Sequence, residues 1–185
     1  MFSGWCIWIT GLPGCGKSTI AEALLKKLEE KGIHAQLLSS DMLRKVVTPK
    51  PTYSQEERDI VYATIVFVAK LLTQNNVNVV IDATGNLRHY RDQARKEIPK
   101  FIEAYVQCPL EICIERETKR KDTHHAPKRI YERAHEGKAP TVPGLGAPYE
   151  PPLHPEVTVD SSKLSPEECA QKIFDAINKF QLGRQ

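Results

Sequence analysis

Residues Gly11-Leu12-Pro13-Gly14-Cys15-Gly16-Lys17-Ser18-Thr19 fit the pattern G-x-x-x-x-G-K-[ST]. Glycines let a backbone wrap so tightly that successive N–H groups point inward at phosphate oxygens. A helix beginning at Ser18 would add its positive dipole end. Lys17 is then placed to reach the β- and γ-phosphates of a nucleoside triphosphate, and the Ser18 hydroxyl to ligate Mg²⁺. ATP and Mg²⁺ are the expected cofactors. Cys15 reads as a loop position pointing away from the phosphates, with a redox-sensitive thiol as the alternative.

Two further groups of residues could serve an acceptor. Ser39-Ser40-Asp41-Met42-Leu43-Arg44 follows an apolar run, and Asp82-Ala83-Thr84-Gly85-Asn86 follows another. In an open α/β sheet, the carboxyl ends of the strands face the ligand crevice. Asp41 could take the proton of an attacking hydroxyl or hold Mg²⁺; a plain helix N-cap is the alternative. Arg44, about one helical turn on, could hold an anionic acceptor. Asp82 could hold Mg²⁺ through water, as a Walker-B-like carboxylate does. Thr84, Gly85 and Arg88 lie at the same edge as acceptor contacts. Arg91 and Arg95 continue the Arg88 helix face, and Arg95 reads as solvated. His124-His125 and the pair Cys108 and Cys113 do not make a metal-site spacing, so no zinc is assigned. No Asn-Lys-x-Asp guanine-reading motif occurs, which counts against a GTPase switch.

Short apolar runs must carry these residues to one edge, with amphipathic runs between them. Candidate strands are 5–10, 35–39, 77–83, 102–107 and 157–160. Candidate helices are 18–31, with Ile20, Leu24 and Leu28 four apart, then 54–73, and 165–180 behind a Ser-Pro-Glu-Glu N-cap. In the second helix, Ile60, Thr64, Phe67 and Leu71 flank Val61, Ile65, Val68 and Leu72, a face so wide that it predicts burial between layers. The alternation predicts an α/β fold of three layers, a parallel five-stranded sheet with helices on both faces. With the phosphate loop, the small size and a late basic segment, this fits a P-loop nucleoside-kinase-like fold with a mobile lid. The whole chain, 1–185, reads as one P-loop kinase domain.

The lid is expected at about 117–155, where the chain is irregular and rich in Pro, Gly, His and charge. From Arg116 to Lys138, eight Lys/Arg against four Asp/Glu give +4, so the remainder of this +3 chain is nearly neutral. Gly137, Gly144 and Gly146 would supply hinge freedom, with Pro140, Pro143 and Pro148 stiffening the pieces between. Lys128, Arg129, Arg133 and Lys138 would then meet phosphate charge on closure.

Hydrophobic residues at 41% and charged residues at 26% exclude disorder. No apolar run approaches the ~18 residues that span a bilayer, so no membrane partner is expected. The start carries no basic n-region and is not read as a signal peptide. Five cysteines in apolar or glycine-rich settings read as reduced thiols of a cytoplasmic protein.

With these residues in hand, the chain resembles the adenylylsulfate kinase family over nearly all its length. That family's Asp-x-x-Arg element corresponds to Asp41 and Arg44, its substrate-stacking aromatic to Tyr53, and its next substrate arginine to Arg58. The stretch from Phe101 to Arg116 resembles the family's fourth strand and adenine-side arginine, and Pro148-Tyr149-Glu150-Pro151-Pro152 its signature after the lid. The resemblance implies transfer of the γ-phosphate of MgATP to the 3′-hydroxyl of adenosine 5′-phosphosulfate (APS). It also implies a homodimer, and a nucleic-acid partner is not expected.

The departures lie on the acceptor side. Family asparagine and arginine positions hold Val61 and Ala63. The lid's lysine, phenylalanine and threonine become Pro140, Val142 and Pro143, with Lys138 nearby as a replacement lysine. A basic stretch between 117 and 127 is extra, and Asp82-Ala83-Thr84-Gly85 resembles polynucleotide and small-metabolite kinases more than the family's own Ser-Pro-Tyr-Arg. A kinase of the same fold with another acceptor, such as a nucleotide-linked metabolite or a polynucleotide 5′-hydroxyl, is the alternative. A nucleotide-binding regulatory domain without transfer activity is the third reading.

Overall fold

A computed structural model describes residues 4–120, 129–137 and 139–182. Five strands form one parallel sheet: β1 (Cys6–Thr10), β2 (Ala35–Ser39), β3 (Asn78–Asp82), β4 (Phe101–Gln107) and β5 (Val157–Asp160), in the spatial order β2-β3-β1-β4-β5. The helices are α1 (Lys17–Glu30), α2 (Ser40–Val47), α3 (Gln55–Gln74), α4 (Arg88–Glu97), α5 (Leu110–Lys119), α6 (Ile130–His135) and α7 (Pro166–Leu182). This is the expected α/β fold. The expected strands and long helices agree with the observed ones to within a residue or two at each end.

The central strand shows why two layers of helix are needed. Side chains of a strand alternate between faces, so Ile7 and Ile9 enter one apolar cluster with Ile20, Leu24 and Leu28 of α1 and Ile173 and Ile177 of α7. Cys6 and Trp8 enter the other, with Val61, Ile65 and Ala69 of α3 and Tyr90 and Ala94 of α4. Trp8 is fully buried, and its indole N–H donates to the Ala83 carbonyl at 2.9 Å. Two helix starts are fixed locally. The Ser54 hydroxyl accepts from the Glu57 N–H, and Ser165 and Glu168 form a reciprocal capping box at the start of α7.

The structure corrects the expectation for α3. Ile60, Phe67 and Leu71 are 54%, 59% and 45% exposed, while Val61, Tyr62, Ile65, Val66 and Ala69 are buried. The sheet lies on one side of the helix only, so half of its apolar face meets solvent. The irregular 117–155 segment also contains more structure than expected: α6, and a turn from Val142 to Ala147 that closes on the Pro143–Ala147 bridge. The extra basic stretch and His124-His125 fall largely or wholly outside the described residues, as does Lys138.

Arg95 also differs from the solvated residue expected, and Arg91 on the same helix face is buried. Arg91 is 1% exposed; its guanidinium pairs with Glu103 at 2.6 Å and donates to the carbonyls of Gly85 and of Glu150. Arg95 bridges Glu103 and Glu156. Breaking a buried pair leaves an uncompensated charge, which typically costs about 3–5 kcal/mol. Arg91→Met should therefore lower the unfolding free energy by about that much in urea melts, and a loss under about 1 kcal/mol would show that Arg95 alone satisfies Glu103.

Candidate active site

The carboxyl ends of β2, β3 and β1 lie side by side because these three strands are parallel neighbours in the sheet. Beyond these ends is a cavity of about 440 Å³. Its floor is Pro13, Gly14 and Gly16 with the start of α1; Asp41 and Arg44 of α2, Tyr53, Arg58 and Tyr62 form a second wall, and Thr141, Val142 and Pro143 a third.

The loop has the conformation that phosphate binding demands. Gly14 and Gly16 have φ of 81° and 97°, in the left-handed region, and a Cβ on Gly14 would meet the Cys113 carbonyl oxygen at 2.4 Å. Lys17 donates from its ammonium to the carbonyls of Gly11 (3.1 Å) and Leu12 (2.9 Å). Leu12 is half-buried and packs on the apolar cluster, and Pro13 lines the cavity. Thr19, beside Ser18, lines it too. Cys15 is fully buried, turned away from the cavity, and burial pushes its thiol pKa up. That environment disfavours a reactive thiolate.

The Ser18 hydroxyl donates to the Asp82 carboxylate at 2.6 Å, and both line the cavity. Asp41 lies in the first turn of α2, whose N-cap is Ser39, so the structure gives the cap to another residue. Burial, and then the neighbouring Asp82 charge, raise the Asp41 carboxyl above its ordinary value, against the pull of Lys17, Arg44 and Arg120. Like charges facing one another across a partly desolvated site favour a proton on one of them.

The acceptor-side residues are already engaged with one another. Arg44, 5% exposed, pairs with Glu57, and its guanidinium lies over the Tyr53 ring, 4.9 Å from the centroid. Arg58, 6% exposed, donates to the carbonyls of Tyr53 (3.2 Å) and Thr141 (2.6 Å). Thr84 lines the cavity, and its carbonyl accepts from the Thr10 hydroxyl at 2.6 Å. Arg116 also lines it, donating to the Ser161 carbonyl at 2.8 Å.

Two expected acceptor contacts are not brought to the cavity. Arg88 is drawn away by Glu150, which accepts from its backbone N–H at 2.8 Å and pairs with its guanidinium at 3.5 Å, so that Glu150 caps α4. Gly85 lies behind the wall against Trp8, its N–H donating to the Tyr62 hydroxyl at 3.1 Å. In their place Thr52, Tyr62, Arg120 and Thr141 line the cavity. Only Tyr62 had a signal in the sequence, as an aromatic beside the apolar face of α3.

Val142, at the family's lid phenylalanine, is 7% exposed and sits in the apolar cluster with Tyr131. Its carbonyl accepts from the N–H groups of Leu145, Gly146 and Ala147, which closes the lid turn. Pro140 and Pro143 line the cavity beside it, Val61 is fully buried in the core, and Ala63 points to solvent.

Comparison with known proteins agrees with this geometry. The family model for adenylylsulphate kinase matches residues 3–160. A probable adenylyl-sulfate kinase of Pyrococcus abyssi is 38% identical over 171 residues, covering 92% of this chain and 93% of its own. The Mycobacterium tuberculosis APS kinase CysC, solved in complex with AMPPNP and APS, superposes with a TM-score of 0.84 at 30% identity, covering 95% of this chain and 98% of its own. A hexameric APS kinase from Thiobacillus denitrificans aligns with a TM-score of 0.67 at 25% identity, over 96% of this chain and 29% of that one. With the family model matching residues 3–160 and a relative 38% identical over 92% of its length, the chain belongs to the adenylylsulphate kinase family.

Proposed function

We propose that this protein transfers the γ-phosphate of MgATP to the 3′-hydroxyl of APS, giving 3′-phosphoadenylylsulfate for sulfate assimilation. The observation that carries the reading is one cavity holding Lys17 and Ser18 at one wall and Asp41, Arg44 and Tyr53 at another. In the transfer, Asp41 takes the proton of the acceptor hydroxyl as its oxygen bonds to the γ-phosphorus. The bond to the β–γ bridging oxygen breaks, and ADP leaves. Lys17, the loop amides and the start of α1 stabilise the charge on the transferring group, with no reorganisation at the moment of reaction. Tyr53 offers a face for the acceptor adenine, Arg44 and Arg58 border its anionic group, and Arg116 lies on the ATP adenine side.

The hard oxygen donors of Ser18 and Asp82, already hydrogen-bonded to each other, fit Mg²⁺. These two residues would hold the ion, which when bound neutralises charge on the phosphate oxygens. The closed lid excludes water that would compete with the acceptor. The reading treats 1–185 as one catalytic domain in the cytoplasm, a setting that five free, buried thiols fit. Among the described residues, no helix is long and apolar enough to cross a membrane. A homodimer completes the reading, and the exposed apolar side chains of α3 supply surface for a second copy.

An acceptor screen with γ-labelled ATP tests this directly. The label should pass to APS, with a Michaelis constant only weakly sensitive to salt, because the acceptor carries a single phosphosulfate group and an adenine to stack. A polynucleotide is held through many phosphates, so its binding falls steeply as salt rises. Labelling of a 5′-hydroxyl oligonucleotide with that steep dependence, and none of APS, would overturn the acceptor assignment.

Asp41→Asn should lower kcat by about 10²–10⁴ if the carboxylate takes the proton. The sign of the pH effect follows from its raised pKa. Wild-type kcat/KM should fall as pH drops through a value above the ordinary aspartate pKa of about 3.9, because the base must be ionised to work. That acid limb should be absent from the Asn variant. A loss below about threefold would reduce Asp41 to a first-turn carboxylate of α2.

A further inference from the structure

Glu57 is 7% exposed and does not line the cavity, yet it is bonded to three residues that do, Arg44, Thr52 and Tyr53. Its Oε1 accepts from the Arg44 guanidinium and from the Thr48 hydroxyl at 3.3 Å. Its Oε2 accepts from the Thr52 N–H, the Thr52 hydroxyl at 2.8 Å and the Tyr53 N–H at 3.0 Å. The spacing Ser54-x-x-Glu57 is that of a capping box, in which the acid returns to the N–H of the cap residue itself. Here the carboxylate bonds one and two residues further upstream, and so ties the 48–53 loop to the start of α3.

The loop needs that tie. Tyr53 has φ of 57°, a left-handed conformation that a tyrosine holds only when its surroundings over-determine it. Glu57 takes its N–H, while Arg58 and the Thr141 hydroxyl (3.0 Å) donate to its carbonyl. Arg44, held by the other carboxylate oxygen, lies over the Tyr53 ring. Burial alone would raise the Glu57 carboxyl, but the Thr52 and Tyr53 donors and the Arg44 charge overcome it and hold it below the usual range.

We propose that Glu57 is a positioning residue for the acceptor, setting the Tyr53 ring and the Arg44 guanidinium as one rigid unit without touching substrate. The proposal rests on the reading of Tyr53 and Arg44 as acceptor groups. Among the described residues Glu57 shares no hydrogen bond with the phosphate loop, so its influence falls on one substrate and not the other.

Glu57→Gln keeps the shape and removes the charge, turning an N–H donor toward groups that are themselves donors. It should raise the KM for APS by about tenfold or more while leaving the KM for ATP within about twofold. In the ligand-free protein, hydrogen exchange at the Thr52 and Tyr53 amides should speed up by about tenfold or more. Equal rises in both Michaelis constants, or an unchanged KM for APS, would overturn the proposal. Exchange that stays slow would overturn it whatever the acceptor is. Rapid exchange in the variant, with a wild type that ignores APS, would instead place the failure in the acceptor assignment alone. Should Glu57→Gln not fold, Glu57→Asp keeps the charge beside Arg44 but shortens the reach to both amides. It should raise the KM for APS by a smaller factor, and no rise there overturns the proposal equally.

Discussion

A loop that turns its amides toward an anion turns its carbonyls the other way, and those carbonyls must find donors. Much of the molecule around the 11–16 loop follows from that requirement. The Pro13 carbonyl accepts from the Tyr131 hydroxyl of α6 at 2.8 Å, and the Cys15 carbonyl from Ser161 just after β5, also at 2.8 Å. The donors come from 118 and 146 residues away in the chain. Gly11 and Leu12 are satisfied by Lys17, and Leu12 also by the Cys15 N–H. The loop is thereby fixed before any phosphate arrives, and preorganisation of this kind is what makes its dipoles effective in a transition state. The same bonds dock α6 and the β5–α7 turn, so the lid's base and the rear of the site are parts of the loop's own support.

The acceptor wall solves the opposite problem. A cluster of arginines awaiting an anion would repel itself and leave long side chains free, and ordering them on binding would reduce affinity. Arg44 and Arg58 avoid this by being engaged beforehand, one with a buried carboxylate and the other with two carbonyls. Their charge still faces the cavity, but their positions are no longer adjustable. Asp41 feels the charges of Asp82, Lys17 and Arg44 together. Burial, joined by the Asp82 charge and working against these cations, keeps Asp41 easier to protonate than a surface aspartate, which suits the proton-accepting role proposed for it.

What the sequence made legible divides along physical lines. The phosphate loop was readable because its chemistry is local: glycine, lysine and serine act at fixed spacing within one strand–loop–helix unit. The strands were readable because apolar runs of five or so residues flanked by polar turns have few other uses. α6 was not readable, since six residues with mixed charge carry no periodic signal. Arg88 looked free because its partner, Glu150, is 62 residues away. Arg95 looked solvated for the same reason, as its partners Glu103 and Glu156 lie on β4 and beyond the lid region. The wide apolar face of α3 was visible, but a pattern of side chains cannot distinguish a helix covered by another layer from one that leaves Ile60, Phe67 and Leu71 outside.

The exchange of an aromatic for Val142 has a consequence for Tyr53. On the proposed reading the acceptor adenine stacks on Tyr53 alone, because Val142, where the resemblance expects a phenylalanine, is buried in the core cluster with Tyr131 and its carbonyl closes a turn. A base held between two rings is confined by both. A base held on one face only is confined no better than that single ring is. Stacking on an aromatic is worth roughly 1–3 kcal/mol per base in nucleic-acid sites, and most of that would be lost if the ring itself wandered. Tyr53 is accordingly fixed at both ends of its peptide unit, by Glu57 at the N–H and by Arg58 and Thr141 at the carbonyl. Thr141 belongs to the 139–147 segment and Glu57 to α3, so the bonds that hold Tyr53 also tie that segment to α3.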